Sequence, residues 1–379
     1  MNKMIEQTYI NNQLNALIEA GMSFAIYRLP WKKEIICKVQ TMGEVRRFEN
    51  MPALNGECGF VIAPFIQTED CPLLLIQPDI SATGWEDLSG KITQLNLPFL
   101  QSDNDASGKV EAGETLEDYE RYADAFEAFI HPLRNGEFEK LVLSRPLNCK
   151  LQKGLPVADV FNEACESYPR AFVYLCYTPH TGLWLGSTPE ILLSGNKELW
   201  HTVALAGTMF IENNRIPREW SEKNKHEQAV VVEYIRKQLN SLQIAAKEEG
   251  PYTAQAGKLV HLKTDFYFTL PCPEKLGDVL ELLHPTPAVC GIPKDKAIAF
   301  IPENEGYERK YYSGFIGWLQ PAAKTDLYVN LRCMNIGKDL LTIYAGGGIL
   351  PSSNVDSEWK ETQEKMKTML KLITKENVF

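Results

Sequence analysis

The stretch Ala171-Phe-Val-Tyr-Leu-Cys-Tyr-Thr-Pro-His-Thr-Gly-Leu-Trp-Leu-Gly-Ser187 decides how this chain folds. Two runs rich in aromatic and branched residues flank Pro179-His180-Thr181-Gly182, a turn-forming tetrapeptide, so the segment reads as an antiparallel hairpin. Further strand-like runs follow directly at 191–193 and 198–203. Strands that succeed one another without intervening helices belong to antiparallel sheets, whereas strict strand–helix alternation would signal a parallel one.

Working outward, short β-like runs at 23–27, 34–39, 60–64 and 73–77 are separated by turn residues, and 140–147, 259–268, 313–319, 326–332 and 340–345 read as further strands. Thr115 offers an N-cap with Asp118 three residues on, and apolar residues then recur at helical spacing until Pro132 and Gly136 end the pattern. Helices are also expected at 155–168, 219–242, 274–283, 294–301 and 357–375. The class is therefore α+β, with large antiparallel sheets. The polar, apolar-poor stretch 102–113 reads as an exposed connection and the best candidate boundary.

At 379 residues, 44% hydrophobic and 23% charged, the chain has the composition of a globular enzyme, which excludes disordered and fibrous classes. A formal net charge of -10 argues against a broad attraction for nucleic acid or anionic lipid, so an anionic ligand would need local cationic groups. The nine cysteines are scattered and form no close metal-type pair, which reads as reduced thiols. No apolar run of membrane-spanning length occurs, and Met1-Asn-Lys-Met-Ile-Glu-Gln lacks an apolar core or a cleavage site, so a cytoplasmic location and no membrane contact are expected.

Several charged residues lie in unusual company. Glu358, Glu361 and Lys365 share one face of the last expected helix, behind the cap-type pair Asp356-Ser357. A solvated ion-pair face is the plain reading, but the upstream strand runs into Gly346-Gly347-Gly348, where backbone could approach an anion closely. Glu227 precedes Val230, Val231 and Tyr234 at i+3, i+4 and i+7, which puts a carboxylate on an apolar stripe; it must be salt-bridged, protonated or metal-bound. Carboxylate oxygens suit Mg²⁺. Lys140 opens the apolar run Leu141-Val142-Leu143, either as an edge lysine or, if desolvated beside another cation, as a base near neutrality. Glu190, after Ser187-Thr188-Pro189, is an ordinary turn residue unless burial keeps it protonated and able to donate. His261 falls within a strand, where a satisfied core histidine is the default.

Together these stretches resemble the chorismate-utilising enzymes, the family of isochorismate, salicylate, anthranilate and aminodeoxychorismate synthases. The likeness covers about 115–375 and follows the family's order: Lys140 to Arg145, Gly186 to Glu190, Ala204-Leu-Ala-Gly-Thr208, Ser221 to Glu227, Val260 to Thr264, His284-Pro-Thr-Pro-Ala288, Glu308-Arg309 with Tyr312-Ser-Gly314, Leu331-Arg332, Tyr344 to Ile349, and Glu358 to Lys365. Gly347 departs from it, since the family usually has Ala there. The resemblance implies a single chorismate-binding domain over 1–379, a sandwich of antiparallel sheets with helices outside, in which 1–105 is a divergent sheet portion and 115–375 carries the catalytic motifs. It also implies that Lys140 activates a water, Glu190 is the general acid, and Glu227, Glu361 and Glu358 hold Mg²⁺, Glu358 through water. Arg332 and Tyr312 would face the enolpyruvyl carboxylate, Lys365 with Gly346, Gly347 and Gly348 would complete an anion cradle, and Ala206, Gly207, Thr208 and His261 would line the ring.

Within the family, Lys140 and Ala206 point to water rather than ammonia as nucleophile, because ammonia-using members resemble this chain except for a glutamine at the first position or a lysine at the second. Ala288 looks like the isochorismate type, salicylate synthases tending to carry Thr there. The reading is an isochorismate synthase, a menaquinone- or siderophore-type isomerase acting as a monomer on a small-molecule substrate. A salicylate synthase and a non-catalytic chorismate-binding relative remain the alternatives.

Overall fold

In the computed structural model, which describes residues 3–98, 110–152, 154–211, 219–256 and 259–374, the expected hairpin pairs Phe172–Thr178 with Gly182–Thr188 from Thr178↔Gly182 to Phe172↔Thr188. Its apolar run is nearly continuous because both faces are covered. Phe172, Tyr174 and Cys176 point one way, into a cluster shared with Phe60, Ile62, Leu74 and Tyr328 of a second sheet. Val173 and Leu175 point the other way, against Leu14, Phe161 and Met366 of covering helices. The Phe172 and Tyr328 rings stack at 4.3 Å and 4°, directly across the space between the sheets.

The first sheet is ten-stranded among the described residues, in the order Gly291–Ile292, Lys140–Leu151, Leu340–Ile349, Cys333–Ile336, Gly182–Thr188, Phe172–Thr178, Ser23–Arg28, Ile36–Gln40, Ile80–Thr83, with Val110–Glu111 beside Lys140–Leu151. The second is nine-stranded: Ala246–Ala256, Leu259–Phe268, Trp200–Phe210, Ile191–Asn196, Lys324–Val329, Phe315–Leu319, Gly59–Ala63, Leu73–Ile76, Arg46–Phe48. Strands from the first hundred residues thus enter both sheets, Ser23–Arg28 against Phe172–Thr178 and Gly59–Ala63 against Phe315–Leu319. The helices lie outside. Val157–Ser167 and Val355–Ile373 cover the first sheet, while Glu222–Ser241 and Leu276–Leu283 cover the second. The α+β class with a helix-covered antiparallel sandwich is what the structure shows.

Several local expectations change. The helices Lys3–Glu19 and Gly84–Thr93 and the edge strand Ala246–Ala256 were not signalled by periodicity. The first is only weakly amphipathic, with polar residues spread round it, and the strand carries Lys, Glu, Gly and Pro. Pro132 lies inside the helix Leu116–Arg134 rather than ending it; the capping box of Thr115 and Asp118 is present as expected. The last helix is capped by Asn354, whose side chain accepts from the amides of Asp356 and Ser357, not by those two residues. Most of the proposed connection 102–113 lies outside the described residues.

Candidate active site

The glycine run does not end a strand. Leu340–Ile349 continues through it, paired with Lys140–Leu151 as far as Ile349↔Leu141, but its pairing with Cys333–Ile336 stops at Ile343. Past that point one edge of the strand has no strand neighbour among the described residues. Successive strand residues face opposite sides, and here each side receives a carboxylate. A Cβ on Gly347 would sit 3.3 Å from Glu361 Oε1 and 3.4 Å from Glu358 Oε2, on the side of the last helix. On Gly348 it would fall 2.2 Å from Glu227 Oε1 and 2.9 Å from Lys140 Cε, on the other side. The missing side chains are what let acids from two helices close on one piece of backbone. Gly348→Ala is therefore expected to displace Glu227 and Lys140 and to lower stability by about 1–3 kcal/mol; urea unfolding of the variant checks it, and an unchanged midpoint contradicts it.

Each acid has a lysine. Lys140 Nζ lies 3.0 Å from Glu227 Oε1, with Lys140 only 1% exposed. Lys365 Nζ donates to Glu361 Oε1 at 2.6 Å and to the Gly346 carbonyl at 2.7 Å. Lys223 Nζ donates to Glu358 Oε1 at 2.5 Å. The neighbour of Lys140 is thus a carboxylate and not a second cation. Burial would raise Glu361, but Lys365 outweighs it and holds the carboxyl below its usual range. Glu358 is raised, first by burial and then by the charge of Glu361.

Glu190 is 3% exposed. Its backbone is fixed by the Val329 amide, which donates to the Glu190 carbonyl at 2.9 Å. Burial pushes its carboxyl up to about 7, against the pull of Lys140, Lys365 and Arg332. A cavity of about 70 Å³ brings Glu190 together with Glu227, Glu361, Lys365 and the three glycines. Ala206, Gly207, Thr208, His261, Tyr312 and Arg332 complete its wall, along with Ala288 and Tyr344. Lys140 and Glu358 stand just outside that wall, beside Gly348 and Gly347 respectively. So small a cavity holds closed ion pairs and not a ring; ligand entry must open them.

The wall is shaped locally. The register of Trp200–Phe210 slips between Ala206 and Thr208, where Gly207 adopts φ +72, a bulge that turns this backbone toward the cavity. His261 Nδ1 lies 3.2 Å from the Gly207 carbonyl, and its buried Nε2 has no partner among the described residues. Burial and then the charges of Arg332 and Lys365 lower the ring to about 3, so it is neutral, with Nδ1–H donating and Nε2 left as an acceptor. The Tyr312 ring stacks on Tyr344 at 5.3 Å. Lys223 escaped the reading of the sequence, although it stands four residues before Glu227 and so on the same helix face. Also missed was the buried pair of Arg309 with Glu305, at 2.6 Å, which ties the carbonyls of Val142 and Val289 together. Only its long-range partners reveal it.

Among the described residues no three carboxylate, imidazole or thiol groups stand close enough to hold an ion as they are. The donor chemistry nevertheless suits a hard divalent cation: Glu227 and Glu361 line one cavity, Glu358 joins Glu361 at the gap over Gly347, its carboxyl raised by burial and then by the charge of Glu361, and Lys223 and Lys365 supply compensating positive charge.

The model of the chorismate binding enzyme family matches residues 73–374. The chain belongs to that family. Among curated relatives, this chorismate binding enzyme is 28% identical to the isochorismate synthase EntC of Escherichia coli over 245 residues, 62% of each chain. It is 31% identical to the isochorismate synthase MenF of the same organism over 256 residues, 63% of this chain and 58% of that one. The match thus spans about 62% of the first relative's length. Solved structures share the fold: MenF, the menaquinone-specific isochorismate synthase of E. coli, with TM-score 0.75, 20% identity and coverage of 93% and 89%, and anthranilate synthase component I of Streptococcus pneumoniae, with TM-score 0.65, 18% identity and coverage of 91% and 89%. Members with different chemistry share the sandwich, so the side chains must separate them.

Proposed function

We propose that this chain is an isochorismate synthase, converting chorismate reversibly to isochorismate by adding water at C2 and releasing the C4 hydroxyl, with Mg²⁺. The observation that carries this is a buried carboxyl raised to about 7, Glu190, in the cavity whose glycine wall is backed by a buried lysine, Lys140. A hydroxyl leaves as water only if protonated, and Glu190 can hold that proton near neutrality. The attacking water needs a base, and the family resemblance gives that role to Lys140, which stands behind the Gly348 wall. As it stands its ammonium is held by Glu227. Mg²⁺ would be held by Glu227 and Glu361, with Glu358 beside them, and would neutralise the ring carboxylate and the charge pushed toward it. With Glu227 among the residues that would hold the ion, Lys140 would be the group that takes the proton of the attacking water. Arg332 and Tyr312 receive the enolpyruvyl carboxylate, Lys365 and the glycine amides the ring carboxylate, and His261 offers Nε2 as an acceptor to a ring hydroxyl.

Lys140 and Ala206 favour water over ammonia, and Ala288, on the cavity wall, favours release of isochorismate over pyruvate elimination. The relatives named above as isochorismate synthases support the same reading. No described helix is long and apolar enough to cross a membrane, and all nine cysteines are free, which suits a reducing compartment. Incubation with chorismate and Mg²⁺ followed by product separation tests the proposal: isochorismate supports it, whereas salicylate with pyruvate, or unchanged substrate, contradicts it. Glu361→Ala is expected to raise the Mg²⁺ concentration for half-saturation by about 10–100-fold; a titration like the parent's would refute that ligand.

A further inference from the structure

Behind Arg332 lies a second cavity, of about 240 Å³, separated from the first by Pro189 and Arg332, which line both. Arg332 holds φ +48, a conformation non-glycine residues rarely adopt, and its carbonyl is anchored by the Ser187 amide at 2.9 Å. Among the described residues its guanidinium has one hydrogen bond, to Thr368 Oγ1 at 3.2 Å. A half-buried guanidinium with this one bond keeps donors and charge to offer an anion. Ser187, 3% exposed, lines the same cavity, and its Oγ has no partner among the described residues. The Tyr168 hydroxyl is committed to the Thr368 carbonyl at 2.8 Å and closes one side. At the solvent rim stands the exposed Arg170, its guanidinium 5.3 Å over the Trp31 ring.

We infer that this cavity is a vestibular site for a small carboxylate. A guanidinium at the rim, a second at the inner wall and hydroxyls between them offer donors and positive charge to a carboxylate. On a chain of net charge -10, such a local cationic entry also offsets the repulsion of an anionic substrate. Resting on the isochorismate synthase reading, its role is to collect the enolpyruvyl carboxylate and pass it to Arg332, whose guanidinium serves both cavities.

The test uses pyruvate as probe on the whole chain without Mg²⁺ or chorismate, by calorimetry or ligand-observed NMR. Binding is expected, reduced about tenfold by Thr368→Met, which fills the vestibule, and about threefold by Arg170→Glu at the exposed rim, but unchanged by Lys365→Ala, which alters the inner cavity alone. In turnover, Arg170→Glu should lower kcat/KM for chorismate about threefold to tenfold at low salt with kcat unchanged, the difference shrinking as salt rises. No pyruvate binding, or binding lost in Lys365→Ala and kept in Thr368→Met and Arg170→Glu, overturns the site. Because the probe needs no turnover, an inactive chain still tests the vestibule, and an active chain that ignores pyruvate refutes it alone.

Discussion

Lys140→Ala is expected to lower kcat for chorismate by about 10²–10⁴-fold, the range lost with a general base, while chorismate still binds. A second readout is independent of turnover. In the metal-free protein the substitution leaves Glu227 buried beside no ammonium, which costs on the order of 3 kcal/mol or more. The variant should therefore unfold at lower urea than the parent without Mg²⁺ and regain much of the difference with it, because the cation takes the role the ammonium had. Retained turnover would mean the base lies elsewhere. Loss of turnover without a Mg²⁺-dependent change in stability would separate Lys140 from Glu227 and undo the coupling between them.

Glu190→Gln should cost a similar factor in kcat, about 10²–10⁴-fold, and it carries a pH signature. Activity that needs the protonated carboxyl falls as pH rises through about 7 in the parent, and that limb should vanish from the residual rate of the variant. Stability follows the same group with a definite sign. Its folded pKa of about 7 lies above the ordinary carboxyl value of 4.5, so the folded state binds the extra proton. Stability is therefore lost as pH rises between those values, by on the order of 3 kcal/mol. Comparing urea midpoints at pH 5 and pH 8, the parent should weaken and Glu190→Gln should not; equal losses in both would place the titrating group somewhere other than Glu190.

The sequence made the sheets legible because alternation and β-branched runs report a pleated, covered surface. The hairpin around Pro179-His180-Thr181-Gly182 and the strand Leu259–Phe268 stand where the pattern put them. Ala246–Ala256 was hidden, since an edge strand that is mostly exposed needs no apolar code. Helix spacing placed Glu358, Glu361 and Lys365 on one face, and the apolar stripe of Glu222–Ser241 marked Glu227 as buried. Nothing local could show that Gly347 and Gly348 would receive these acids from opposite sides of one strand, or that Lys140 would meet Glu227. Those pairings depend on which strand lies beside which, information spread over the whole chain. For the same reason the Arg309–Glu305 pair, which ties the Lys140 strand to the wall carrying Val289, was invisible until the sheet order was known.

Delivery of water to one ring carbon by an amine held behind a glycine wall, while a buried acid releases hydroxyl from another, would leave an isotopic mark. Turnover of chorismate in H₂¹⁸O with Mg²⁺, followed by mass spectrometry of the product, tests it most directly. The account predicts isochorismate carrying solvent oxygen at its C2 hydroxyl, at a rate that collapses in Lys140→Ala. Isochorismate formed without solvent label would contradict it, since the hydroxyl would then have migrated within the substrate and Lys140 would have no water to activate.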